Sequence, residues 1–214
     1  MKRLISTIAL LTSFSLAPQL AISQPASNEI DDIGHAVIAN TQWVNDAKLC
    51  PTQLMAKKET TSHLDGNECK PGRLAHCLAS CTAGGPGACY WLGQALLQGN
   101  AKFDADEVLF QRACKLGVMS GCTNRAAGML KASDTDERTK SCAAATFTAA
   151  CAFDDPWACT MQALHLSRGI GVKKDTERAL KSLEKSCKYG PEDQACIYAA
   201  RIRSDIQAKR STAQ

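Results

Sequence analysis

The chain has 214 residues, with 25 Lys and Arg against 21 Asp and Glu, and twelve cysteines. A formal net charge of +4 is no electrostatic footprint for nucleic acid, and 5% aromatic residues exclude a conventional large aromatic core. No later stretch is long and apolar enough for a membrane helix, so neither a nucleic-acid partner nor a membrane span is expected.

Residues 1–23 read as an export leader. Lys2 and Arg3 form a basic start, and residues 4–16 are apolar but too short and mixed to span a bilayer. Ala21-Ile22-Ser23 then presents small residues at the positions a signal peptidase reads. Cleavage after Ser23 leaves residues 24–214, with 23 basic and 21 acidic residues and a net charge of +2. No cysteine stands at the cleavage site, which argues against a lipid anchor. The expected location is the periplasm or outside the cell. Residues 24–71 are polar and turn-rich, and are expected to form an N-terminal extension or cap that folds back along the rest of the chain.

All twelve cysteines come after the leader, and an even count in that setting reads as a disulfide framework. The rival is zinc, which usually takes C-x2-C pairs or close Cys/His sets. The chain has no C-x2-C, and His35, His63, His76 and His165 are far apart, so no metal or other cofactor is expected. His76, Cys77 and Cys81 lie together, but Cys77 and Cys81 are one helical turn apart and can both face a core.

Residues 74–81 predict a helix, with Leu74, Cys77, Leu78 and Cys81 on one face. Cys81 and Cys89 then enclose seven residues, as do Cys114 and Cys122, and Cys151 and Cys159; Cys187 and Cys196 enclose eight. The first members of these pairs stand 33, 37 and 36 residues apart, a period that points to stacked helix pairs. Each gap holds Gly, Pro or both: residues 82–88 (TAGGPGA), 115–121 (KLGVMSG), 152–158 (AFDDPWA) and 188–195 (KYGPEDQA). A continuous helix would hold residues eight apart at about 12 Å, whereas a disulfide needs Cα atoms within about 7 Å. The members can pair only if the chain reverses between them, so each bridge would staple two antiparallel helices at their turn. Residues 106–114 open with acids, as a helix start should. Residues 176–187 place Ala179, Leu180, Leu183 and Cys187 on one face. The expected class is all-α.

Residues 158–190 (ACTMQALHLSRGIGVKKDTERALKSLEKSCKYG) resemble the Sel1-like repeat. They carry Ala158, the loop Gly169-Ile170-Gly171-Val172, Asp175, Ala179 and Gly190 where that family has its Ala, Gly-x-Gly-Val, Asp, Ala and Gly. Residues 88–117 are similar through Leu92-Gly93, Gly99, Ala113 and Gly117, without the glycine loop. Residues 121–154 match least: Arg125 stands in place of Leu, and a charged linker at 131–140 (KASDTDERTK) replaces the loop. The cysteine pairs resemble those of cysteine-rich Sel1-like proteins such as the Helicobacter cysteine-rich family. The resemblance implies an α/α solenoid of helix-turn-helix repeats over residues 72–206, each stapled by a disulfide. Residues 74–81 would open it, a half-repeat from Ala195 to Ile206 would close it, and 207–214 would be a polar tail.

Cys50, Cys69, Cys77 and Cys142 fall outside the repeat pattern and allow three connectivities. Repeats touch their neighbours, so Cys50 or Cys69, from the extension, is better placed than Cys77 to reach Cys142.

In related arrays the first helix of each repeat lines the concave face. The resemblance therefore makes Trp91, Gln94, Asn124, Met161, Gln162 and His165 a candidate partner-binding set, with inter-repeat packing as the alternative for each. Trp157 falls in a turn and is expected to close the packing there. Some cysteine-rich Sel1-like proteins are linked to β-lactam binding or hydrolysis. Ser182-Leu183-Glu184-Lys185 matches S-x-x-K, but S-D-N and K-T-G are absent. The expectation is no catalytic residues and a protein partner, for an exported adaptor, inhibitor or immunity-type protein that neutralises a delivered effector enzyme. A β-lactam-binding or β-lactamase-like protein and a secreted host-interaction factor are the alternatives.

Overall fold

The computed structural model describes residues 26–60 and 66–211. The leader expected at 1–23, His63 and the last three residues lie outside them. Among the described residues there is no strand. Eleven α-helices run in chain order: α1 (Ala26–Ile38), α2 (Thr41–Ala47), α3 (Pro51–Leu54), α4 (Leu74–Thr82), α5 (Pro86–Gln98), α6 (Ala105–Lys115), α7 (Met119–Gly128), α8 (Glu137–Ala152), α9 (Pro156–Arg168), α10 (Thr176–Lys185) and α11 (Gln194–Ser211). Short 3-10 turns occupy Gly66–Cys69 and Lys102–Asp104.

Local chemistry accounts for the helix starts. Asp136, Asp155 and Asp175 cap α8, α9 and α10 by accepting the Thr139, Ala158 and Arg178 amides at 2.7, 2.8 and 2.9 Å. Each satisfies an amide that no helical carbonyl can reach, and the acid suits the positive helix end. Pro86 and Pro156 open α5 and α9, where a missing N–H costs nothing. α11 runs past Ile206 into the segment expected as tail. Ile206 is its last buried residue, and the exposed turn beyond it (QAKRS) contains Gln, Ala, Lys and Arg, which are good helix formers.

From α4 onward each helix packs against the next one along the chain, and α9 also meets α7 and α11. The interior is divided into separate groups of buried residues rather than one body. Two glycines set close approaches. A Cβ on Gly93 would stand 2.8 Å from the Phe110 ring, so glycine lets α5 close onto α6. Gly171, at φ +62°, would drive a Cβ to 2.2 Å from the Lys140 backbone of α8.

The N-terminal extension is an arm that holds three helices up to Leu54 and folds back on the helices that follow. Ile30, Ile33 and Val37 line one side of α1 and join the core of α4 to α6. α1 lies against α4, α5 and α6; α2 lies against α6; α3 lies against α6, α7 and α8. The Glu29 carboxylate accepts the Leu74 amide at 2.9 Å and the Gly72 amide, so α1 caps α4. Beyond α3 the chain tracks the α6–α7 turn, where the Thr60 amide donates to the Gly117 carbonyl at 2.9 Å.

Six cysteine pairs stand at disulfide distance. Cys81–Cys89, Cys114–Cys122, Cys151–Cys159 and Cys187–Cys196 have Cα separations of 4.7, 4.5, 4.6 and 4.5 Å, each at a reversal between helices. Cys69–Cys77 and Cys50–Cys142 stand at 5.3 and 5.8 Å. Cys50–Cys142 ties the arm to α8 across 92 residues of sequence. The chain-entropy account gives about 4.6 kcal/mol for closing so long a loop, against about 2.6 kcal/mol for the short ones. Denaturant melts should therefore show Cys50→Ser with Cys142→Ser losing more stability than Cys187→Ser with Cys196→Ser. Equal losses would mean that the arm is not covalently held.

Candidate functional site

Counting back from the cysteine at the end of α6, α8 and α10 puts three helix faces in one register. Ala105, Val108, Leu109, Arg112 and Lys115 on α6 correspond to Cys142, Ala145, Thr146, Ala149 and Ala152 on α8. On α10 the counterparts are Arg178, Lys181, Ser182 and Lys185, with Lys188 just past its end. Steps of three and four residues keep each set on one helix side.

On α6 the arm covers this side, and on α8 it reaches Cys142 and Thr146 while Ala145 and Ala152 stay exposed. Ile33, Val37 and Trp43 share a core with Ala105, Val108 and Leu109. The Arg112 guanidinium lies 4.3 Å from the Trp43 ring centre. The Lys115 ammonium meets the Asp46 carboxylate at 2.7 Å. Cys50 stands on Cys142, its sulfur 3.9 Å from the Thr146 hydroxyl. Among the described residues, none of the arm's helices packs against α10 as they do against α6 and α8.

The result is an open groove between α8 and α10 with α9 as its floor. Its volume is about 250 Å³, and Thr148, Ala152, Gln162, Arg178, Lys181 and Ser182 are among its walls. The Ser182 hydroxyl donates to Gln162 Oε1 at 2.9 Å, and Gln162 Nε2 donates to Thr148 Oγ1 at 3.2 Å. Lys185 meets Asp154 at 2.7 Å and holds that carboxyl below its usual range, first through the hydrogen bond and then through its charge. Neither the Arg178 guanidinium nor the Lys181 ammonium has an acidic partner among the described residues.

The six residues expected on one binding face fall in different surroundings. Gln162 lines the groove. Trp91 and Gln94 line a separate cavity of about 510 Å³ between α1 and α5, and the indole Nε1 is buried without a hydrogen-bond partner among the described residues. Asn124 hydrogen-bonds the Tyr90 hydroxyl, which also accepts from Gln94 Nε2 at 3.0 Å. Burial is the main reason that the Tyr90 hydroxyl is harder to ionise. Met161 packs on Ala126, Ala143 and Phe147. His165 is buried, edge-on to Phe147, with Nδ1 3.0 Å from the Ile170 carbonyl. Trp157 is exposed in the first turn of α9 beside Tyr198 and does not close the packing there.

The residues of other chemical readings are also placed. In Ser182-x-x-Lys185 the hydroxyl faces Gln162 and the Arg178 carbonyl, and the ammonium faces Asp154. His35 and His76 are exposed, and Cys77 pairs with Cys69. Among the described residues no group of three or more His, Cys, Asp or Glu is placed to hold a metal.

Sequence reasoning missed two features. Cys69 and Cys77 enclose seven residues with Pro71-Gly72 between them, the same signal as the other pairs. The cationic register of α10 shows only when its face is compared with α6 and α8. No protein-family model matches the chain, and no curated protein or solved structure matches it either.

Burial pushes the His165 pKa down, only partly offset by the Ile170 carbonyl. A histidine depressed in the folded state contributes stability above its unfolded pKa, about 6.5. That contribution is lost as pH falls through the folded value. Thermal melts should thus drop as pH falls below about 6.5. His165→Asn, which keeps a donor for Ile170, should flatten that drop. An unchanged slope in the variant would contradict the assignment.

Proposed function

We propose that this chain is an exported α-solenoid of Sel1-like repeats, stapled by disulfides at its turns, that works by binding a protein partner. The observation that carries the reading is the open groove between α8 and α10. The first two positions of the same register are filled by the chain's own arm, so the array already holds polypeptide on this side. Helices packed in chain order, with a separate core under each stretch, support a solenoid. Solenoids offer extended surfaces for partners. Six cysteine pairs at disulfide distance fit an oxidising compartment such as the periplasm or the extracellular space. No helix among the described residues is long and apolar enough to cross a membrane.

The role proposed is that of an adaptor, inhibitor or immunity-type protein whose partner is an exported effector enzyme. The test is capture from the extracytoplasmic fraction of producing cells by oxidised protein. One partner held in fixed ratio, and lost with Cys114→Ser plus Cys122→Ser, is the expected result. That pair sits at the centre of the array, where neighbours on both sides depend on it. Undiminished capture by the variant would contradict a binding surface that needs the folded array.

The β-lactam reading is tested separately. Purified protein should give no nitrocefin hydrolysis above buffer. Hydrolysis that disappears in Ser182→Ala would replace the binding role with a catalytic one.

A further inference from the structure

We propose that the α8–α10 groove docks an acidic segment of the partner protein, which lies over α9 as this chain's own arm lies over α5 and α7. The docking rests on the binding role proposed for the chain and names the chemistry of the partner at that site.

Three observations carry it. The first is the register. α1 spans α4, α5 and α6, and α3 spans α6, α7 and α8. The next such set is α8, α9 and α10, and there the groove is open. Polypeptide is therefore the occupant that this side of the fold already accepts.

The second is charge. In the filled position the arm offers Asp46 to Lys115, beside Arg112. The counterparts of Arg112 and Lys115 are Lys185 on α10 and Lys188 past its end. Further along the same side, Arg178 and Lys181 replace the apolar Ala105 and Val108. Asp154, close to this end, is already taken up by Lys185. Glu177, on the first turn of α10, is drawn off to Arg210 of α11. Two cations thus line the groove without acidic partners among the described residues, and an occupant with carboxylates matches them.

The third is the hydrogen-bonding sense of the floor. Ser182 donates to Gln162 and Gln162 donates to Thr148. The Thr148 hydroxyl accepts that bond, which leaves its own proton to donate into the groove. Arg178 and Lys181 are donors only. A site built of donors selects an acceptor, and Glu or Asp side chains supply acceptors with charge.

The probe is a fluorescein-labelled helical peptide of about fifteen residues with Glu at every fourth position, beside the same peptide with Gln. The length comes from about 1.5 Å of rise per residue, enough to run along α10. Binding is read by fluorescence anisotropy at low salt on the full mature oxidised protein. The Glu peptide should bind saturably, and the Gln peptide roughly tenfold more weakly. Arg178→Gln with Lys181→Gln should weaken the Glu peptide by a similar factor, with an unchanged thermal melt because neither side chain holds an ion pair within the described chain. Thr148→Val should weaken it by a smaller factor, and Arg201→Gln on the exposed side of α11 should leave it unchanged.

Equal affinity for the Gln peptide, equal binding by the Arg178/Lys181 variant, or no binding at all would overturn the proposal. So would displacement by inorganic phosphate at matched ionic strength, which would mark a site for free anions. Tighter binding of a single-stranded oligonucleotide would assign the groove to nucleic acid instead. A partner captured equally well by the Arg178/Lys181 variant would leave the binding role standing and remove only the groove.

Discussion

Two cysteines eight residues apart on one continuous helix stand about 12 Å from each other, beyond the reach of a disulfide. Here four pairs at that spacing, or one residue more, come within 4.7 Å between Cα atoms. The chain must reverse between them, and Gly and Pro make the reversal. Each reversal sets one helix antiparallel to the next and hands the second to a new neighbour. The succession from α4 to α11, and the division of the core into local groups, arise from that step repeated. With few aromatics the local cores are limited, and closing the short loops covalently would supplement them.

Repetition also creates a set of corresponding grooves, and their different contents give the molecule its asymmetry. α6 presents Ala105, Val108 and Leu109 to the arm, and apolar burial holds it there. α8 presents Cys142, and a cysteine pair holds it. α10 presents Arg178 and Lys181 to the open groove. The middle of the chain belongs to the same arrangement. Arg125 donates to the Ala47 carbonyl of the arm at 2.8 Å and meets Glu107 at 3.3 Å. Lys131, from the charged linker, reaches Glu107 at 2.7 Å. Burial raises the Glu107 pKa, and the two cations work against that shift. Arg125 and Lys131 thus offset the charge of a buried acid.

The helical class and the four turns were legible because cysteine spacing and Gly/Pro placement are local signals. The Cys69–Cys77 pair was equally legible, but Cys77 also sits on the helical face of Leu74, Leu78 and Cys81 and reads as core. The arm was harder. Ile30, Ile33 and Val37 have helical spacing, yet Glu29, Asp31 and Asp32 stand between and beside them and break up the apolar signal. The candidate binding face was not legible residue by residue. Position on a first helix says nothing of rotation about its axis, and rotation sends Met161 and His165 into packing. Gln162, their neighbour, turns to the groove. What α10 offers emerges only by aligning it with α6 and α8, which the arm meets.

The whole arrangement depends on the arm being pinned across α6 to α8 while the local pairs close the turns. Proteolysis of the unreduced, alkylated protein with mass mapping of linked peptides tests this most directly. The expected map links Cys50 to Cys142, and the other ten cysteines as five pairs at their own turns. Cys142 linked to Cys69 or Cys77, or recovered free, would place the arm elsewhere and remove the reason for calling the α8–α10 groove the open member of a filled series.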